Sequence, residues 1–259
     1  MKGNIKAVAL IGARDVIKSV RTPMLVTMSL LQPIIWLVLF SQTFRGLANT
    51  PQFKALGYSS YLTFLVPGMV VLSVLFTALQ SGMATITDID TGMMDKFLIS
   101  PILRFSILLG RMTADALLML LQGAIIFVLA FAMGARVETG WGGALGILGL
   151  AVLFGVVWAS LSNLIALHTR NSEMTMVAGL LLTLPALFLS SAFFPRPLLP
   201  GWLQAVARGN PAAYVIETGQ RLMNFGNSWG QDLRTLAVVA AAGLVLITAA
   251  VASFRASAR

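Results

Sequence analysis

Six apolar stretches, 24–44, 61–86, 107–133, 141–167, 174–194 and 235–254, take up most of this 259-residue chain. A helix crosses about 30 Å of hydrocarbon with roughly 20 apolar residues, so each stretch is long enough to span. Backbone in lipid must satisfy its own hydrogen bonds, which leaves helices as the predicted form for such runs. Composition agrees: 58% of residues are hydrophobic and only 10% are charged, where a soluble domain carries about 25% charged residues. The predicted class is an all-α integral membrane protein of six transmembrane helices in a single domain, 1–259.

The segments between the spans are short, except 195–234. That piece is too long for a turn and too polar to cross. Within it, 202–207 and 212–225 read as helices far too short to span. They are expected to be re-entrant or interfacial, shielded from lipid by protein.

Lysine and arginine placement sets the expected orientation. With the N-terminus inside, one face collects Lys2, Lys6, Arg14, Lys18, Arg21, Lys96, Arg104, Arg111, Arg170, Arg255 and Arg259. The other collects Arg45, Lys54, Arg136, Arg196, Arg208, Arg221 and Arg234. The excess places both termini in the cytoplasm. The net charge of +9 is scattered over segment ends and forms no basic face, which argues against nucleic acid. Cysteine is absent, so thiolate chemistry and disulfides are excluded. The first 21 residues lack a signal peptide's order, and insertion is expected to rely on the first span. In 1–22, a helical wheel puts Arg14, Lys18 and Arg21 on one face and Ile5, Val16 and Val20 opposite. An interface helix with its cations toward anionic lipid fits that pattern, as does a plain basic anchor.

The charged island 88–111 interrupts this apolar sequence with Asp88, Asp90, Asp95, Lys96, Arg104 and Arg111. Three readings compete for it. Asp88, Asp90 and Asp95 could hold magnesium against a lipid diphosphate, making the chain a lipid or isoprenoid transferase; their spacing matches no aspartate array of that kind. The island could be a charged turn that fixes topology. Or 88–101 could carry a docking helix: Asp88 or Thr91 caps it, Gly92 begins it, Met94, Phe97 and Leu98 share a face, and Pro101 stops it. A soluble partner's groove accepts such a helix.

Other chemistry is missing from the sequence. There is no phosphate-binding G-x-x-x-x-G-K-[ST], no H-E-x-x-H and no G-x-S-x-G, and the single histidine, His168, sits in a polar turn. No catalytic residue and no metal site of this chain's own is expected. Polar residues inside spans demand a role. Gln32, Gln80, Gln122 and Asn163 are candidates for a translocation path or for hydrogen bonds between helices. Asp115 is expected to pair with Arg111 at i, i+4, and Glu217 with Arg221 likewise. Asp115 lies too near a span end to suit a proton-driven carrier. Pro33, Pro67 and Pro185 are expected kinks. Gly142 and Gly146, with Ala151, Gly155 and Ala159, supply small residues for close helix packing, within the protomer or between protomers.

The run 87–111 resembles the segment after the second span of type-2 ABC exporter permeases, where an acidic residue, a glycine, a charged pair and a Ser-Pro form the coupling helix that docks in the ATPase. Asp88, Gly92, Asp95, Lys96, Leu98, Ser100 and Pro101 fit it; Asp90-Thr91 and Asp95-Lys96 stand where many members have Arg-Glu and Glu-Arg. A longer match, 187–221, resembles the family's fifth span and outer re-entrant helices through Ser190, Ser191, Phe193, Phe194, Pro195, Leu199, Pro200, Trp202, Leu203, Asn210, Pro211 and Arg221. Arg21-Thr22-Pro23 and Gln32-Pro33 with Trp36 and Phe40 resemble its start. The likeness covers essentially the whole chain and is nearest the daunorubicin- and multidrug-resistance branch. It implies a permease subunit in a bacterial cytoplasmic (inner) membrane, exporting an amphiphilic drug, lipid or lipid-linked compound. It also implies a second permease copy (homodimer) or related permease, contact with membrane lipid, and a separate nucleotide-binding ATPase subunit that holds the ATP and magnesium.

Overall fold

The computed structural model describes residues 8, 10–17, 23–93, 104–226, 235, 237, 239–241 and 243, with the backbone alone at 23–29 and 104–108. Among these residues the regular structure is entirely helical. We number the helices α1 (Pro23–Thr43), α2 (Pro51–Ala55), α3 (Tyr61–Asp90), α4 (Arg104–Ala132), α5 (Gly140–Thr169), α6 (Ser172–Phe188), α7 (Gly201–Gly209) and α8 (Pro211–Asn224). A helical segment at 10–17 precedes them, and positions 235–243 are helical where described. Tyr61–Asp90, Leu109–Ala132 and Gly140–Thr169 are long and apolar enough to cross a membrane.

Helix α3 is the axis of the bundle and packs against α1, α4, α5, α6 and α8. Its 30 residues span about 45 Å at 1.5 Å per residue. Ser60 caps its start by accepting from the Thr63 amide, and most of its residues are buried. The outward faces of α4, α5 and α6 carry exposed Leu121, Val128, Leu145 and Leu181 instead, the arrangement lipid favours.

Small residues set how closely α3 is approached. A methyl group on Gly82 would lie 2.6 Å from the Ser162 carbonyl oxygen, so this glycine marks the closest crossing with α5. Gly155 serves the same purpose against Val74 and Met119. Ala151 and Ala159, the other members of that stripe, are buried. Gly142 has nothing within 4 Å and Gly146 touches only Leu222 at 3.7 Å. The small-residue stripe read in the sequence therefore packs inside the protomer only along its second half.

Proline does more at Pro67 than bend α3. Its ring rests on Gly219 of α8, where a methyl group would come within 2.7 Å. The adjacent Gly68 admits the Ala192 carbonyl at 2.9 Å from the same construction. The pair is the notch in α3 that receives the 190–224 region.

Two expected boundaries differ. The stretch 174–194 is a helix only to Phe188, with turns at 189–194. Pro185 gives up an amide donor near that end, and Ser190 turns back to accept from the Ala192 amide at 3.2 Å. The second span extends to Asp90, past the expected 86, so Asp88 lies inside α3. Thr91 is the C-cap of α3, and Gly92 follows with φ +65°. Met94, Asp95, Lys96, Phe97, Leu98 and Pro101 lie outside the described residues, as do Lys18, Arg21 and most of 235–254.

Candidate functional site

At one end of the bundle, a row of polar residues runs along α3: Ser73, Thr77, Ser81, Thr85 and Asp88, all buried. Steps of four, four, four and three residues keep them on the side facing α4 and α5. Thr77 donates to the Gln122 side-chain oxygen at 2.5 Å. Ser81 donates to the Asp115 carboxylate at 2.5 Å and accepts from the Asn163 amide at 3.0 Å. Thr85 donates to the Asn163 carbonyl oxygen and accepts from Arg111 at 2.7 Å. Three helices are thus joined by side-chain bonds across an otherwise apolar contact.

Asp88 ends the row. One carboxylate oxygen is 2.5 Å from Arg111 Nη2, and the other is 3.3 Å from Arg14 Nη2. The Asp88 side chain is only 4% exposed, Arg111 12% and Arg14 31%. A buried carboxylate is costly unless paired and hydrogen-bonded, and here it has two guanidinium partners. The segment 10–17 reaches this point because Ile11 and Gly12 lie flat on Gly110 of α4, where a methyl group would sit 2.8 Å from Ile11 Cβ. Asp88 therefore fastens three pieces of chain together: the N-terminal segment, α3 and α4.

Several sequence expectations change here. Arg14 pairs with Asp88 of α3 as well as with its neighbour Asp15, a contact across helices that the wheel of the N-terminal segment did not show. Arg111 takes Asp88 as its ion-pair partner, and Asp115 takes Ser81, so the i, i+4 pairing of Arg111 with Asp115 is not made. The magnesium reading is not supported. Asp88 is already neutralised by two cations, which would repel a dication, and no group of metal-ligating residues exists among the described residues. Asp90 is exposed beside it. Gln122 and Asn163 make bonds between helices, Gln32 is half-buried, and Gln80 is exposed on α3.

The opposite end is built around the turn 189–195. Asn210 caps α8 by accepting from the Ala212 amide, with Pro211 in the first turn, and its own amide donates to the Ala186 carbonyl at 2.6 Å and the Leu189 carbonyl at 3.3 Å. The last carbonyls of a helix lack partners, and Asn210 supplies them for α6. Gln220 donates to the Ser191 carbonyl at 2.8 Å, and Tyr61 donates to the Phe193 carbonyl at 3.0 Å. Glu217 accepts from Ser191 at 3.1 Å and pairs with Arg196 at 3.5 Å, while Arg221 donates to Thr218 at 2.8 Å. The expected Glu217–Arg221 pair is replaced by these contacts. Phe193 stacks on Phe188, Phe194 meets Phe44 edge-on, and Pro195 is buried. Burial, then the nearby Glu217 carboxylate, push the Tyr58 phenol up to about 12.

The family model described as ABC-2 type transporter matches residues 6–223. The chain belongs to the ABC-2 type transporter family. It is 30% identical over 224 residues to the daunorubicin resistance ABC transporter permease protein DrrB1 of Streptomyces coeruleorubidus, covering 85% of this chain and 75% of that one. It is 30% identical over 168 residues to nodulation protein J of Rhizobium meliloti (strain 1021), covering 63% of this chain and 62% of that one. The chain is a multi-pass transmembrane permease of this family, and its relatives include drug-resistance transporters.

Proposed function

We propose that this chain is the membrane-spanning subunit of an ATP-driven exporter that moves an amphiphilic drug, lipid or lipid-linked compound out of the cytoplasm of a bacterium. Both termini and the segment 94–103 face the cytoplasm, where the part of the expected coupling segment that follows α3, 92–101, docks in a separate nucleotide-binding ATPase. The chain contains no phosphate-binding loop, so ATP and its magnesium belong to that partner. A second permease copy completes the unit.

The observation that carries this reading is the Asp88 node. The segment expected to meet the ATPase begins immediately after α3, and Asp88 ties that end of α3 to α4 and to the N-terminal segment. A push delivered just beyond residue 92 is received by three elements together. From there the seam of Thr85, Ser81 and Thr77 links α3 to α4 and α5 toward the middle of the bundle. The relative named for daunorubicin resistance supports an amphiphilic aromatic cargo.

The test is co-expression with a candidate ATPase subunit, co-purification, and ATP-dependent movement of daunorubicin in reconstituted vesicles. Replacing Gly92, Phe97 or Leu98 should uncouple ATP hydrolysis from transport. Transport by the isolated chain without any nucleotide-binding partner would refute the reading.

A further inference from the structure

At the end of the bundle opposite Asp88, a cleft of about 460 Å³ opens between the C-terminus of α1, the following 3-10 turn at Arg45–Asn49, the start of α3 and the end of α4. Gln42, Arg45, Asn49 and Ser59, all exposed, line its rim, with Leu62 and Met133 at its walls. No acidic side chain lines it. Those four polar side chains make no hydrogen bond or ion pair among the described residues. By contrast, Arg196 at the same end has Glu217 as a partner. Arg45 is thus exposed at the cleft with no carboxylate beside it, and the neighbouring Phe44 ring packs on Tyr61 and Phe194.

The cleft also has an apolar approach. Leu31, Ile35 and Val38 are 44%, 49% and 45% exposed. With Gln42 they recur at i, i+4, i+7 and i+11, one face of α1. That face runs along the membrane-embedded length of α1 and ends in the polar cleft. A ligand matching both parts has an anionic head and a hydrocarbon tail.

We propose that this cleft is a binding site for an anionic phospholipid, its phosphate held by Arg45 with Gln42, Asn49 and Ser59, and an acyl chain lying on the Leu31–Val38 face of α1. Guanidinium matches phosphate with paired donors, and the neutral amides and hydroxyl complete its acceptor shell. The volume lies within the range of small-molecule sites and suits a phosphoglycerol head. The site needs no ATPase and stands apart from the export reading.

The test uses the full-length chain purified in detergent without any ATPase. Phosphatidylglycerol and phosphatidylcholine are titrated and bound lipid is counted by native mass spectrometry, with inorganic phosphate as competitor. Phosphatidylglycerol should bind about tenfold more tightly than phosphatidylcholine, and Arg45→Gln should remove about that factor, the worth of one charge-assisted hydrogen bond. Arg45→Lys should retain most of the preference. Arg136→Gln, an exposed cation at the same end that does not line the cleft, should leave binding unchanged. Equal binding of the two lipids, or equal losses in Arg45→Gln and Arg136→Gln, would overturn the proposal. Arg45-dependent binding of inorganic phosphate without lipid preference would also overturn it, leaving a free-anion site. None of these failures touches the dependence of transport on an ATPase.

Discussion

Replacing Asp88 with asparagine removes the charge that joins α3, α4 and the N-terminal segment while keeping the side chain's size. The contact with Arg111 is 2.5 Å long between side chains 4% and 12% exposed, so it lies in protein rather than water. Breaking one partner out of a buried pair costs about 3–5 kcal/mol, because the remaining charge stays buried. Arg111 keeps Thr85 at 2.7 Å, and asparagine still offers an acceptor, which puts the expected loss near the low end, about 3 kcal/mol. That corresponds to roughly a hundredfold in the unfolding equilibrium. The Arg14 contact is longer, at 3.3 Å, and its side chain is 31% exposed, so solvent reduces its share to about 1 kcal/mol or less. The assay is SDS-driven unfolding followed by tryptophan fluorescence, on Asp88→Asn, Arg111→Ala, Arg14→Ala and the two double variants. We expect a coupling of about 2–3 kcal/mol between Asp88 and Arg111 and below about 1 kcal/mol between Asp88 and Arg14. Wild-type stability in Asp88→Asn, or equal couplings to the two arginines, would refute the assignment of Arg111 as the principal partner.

Gly82→Ala should lose about 1–3 kcal/mol, because its new methyl group meets backbone at Ser162 that has little room to shift; Gly142→Ala, with open space around it, should be neutral or gain up to about 1 kcal/mol of helix propensity. Asn210→Ala should cost about 2 kcal/mol, from a lost cap and lost bonds to the α6 carbonyls. Faster hydrogen exchange at 211–214 would report it, and unchanged exchange would contradict the capping role. Tyr58 ionises more readily unfolded, near 10.0, than folded, near 12. The stability it contributes is therefore complete below pH 10 and is lost as pH rises through 12, which ultraviolet difference titration of wild type against Tyr58→Phe would reveal as a late phenolate step absent from the variant.

The helical class and the three long apolar helices, α3, α4 and α5, were legible because a 20-residue apolar run has one stable form in lipid. The two short helices α7 and α8 were legible too, and Pro211 after Asn210 acts locally at the start of α8. Pairings across helices were not. Arg111 looked to Asp115 on its own helix, yet its partner, Asp88, lies 23 residues away on α3, and Arg14 joins from 74 residues away. Own-helix spacing cannot choose between a near carboxylate and a better-buried one on a neighbour. A usable signal was present in the recurrence of Ser73, Thr77, Ser81, Thr85 and Asp88, a polar row along one side of a largely apolar span. The role of Pro67-Gly68 was hidden for a similar reason, since its meaning lies in Gly219 and Ala192, which only the folded chain brings to it.

Inside-out vesicles containing this chain, with or without its ATPase partner, test the export reading most directly by uptake of daunorubicin on addition of ATP. Uptake should require both the ATPase and hydrolysable ATP, and Asp88→Asn should lower uptake more than ATP hydrolysis in vesicles carrying equal amounts of folded permease. Undiminished uptake without the ATPase, or with a non-hydrolysable analogue, would contradict it.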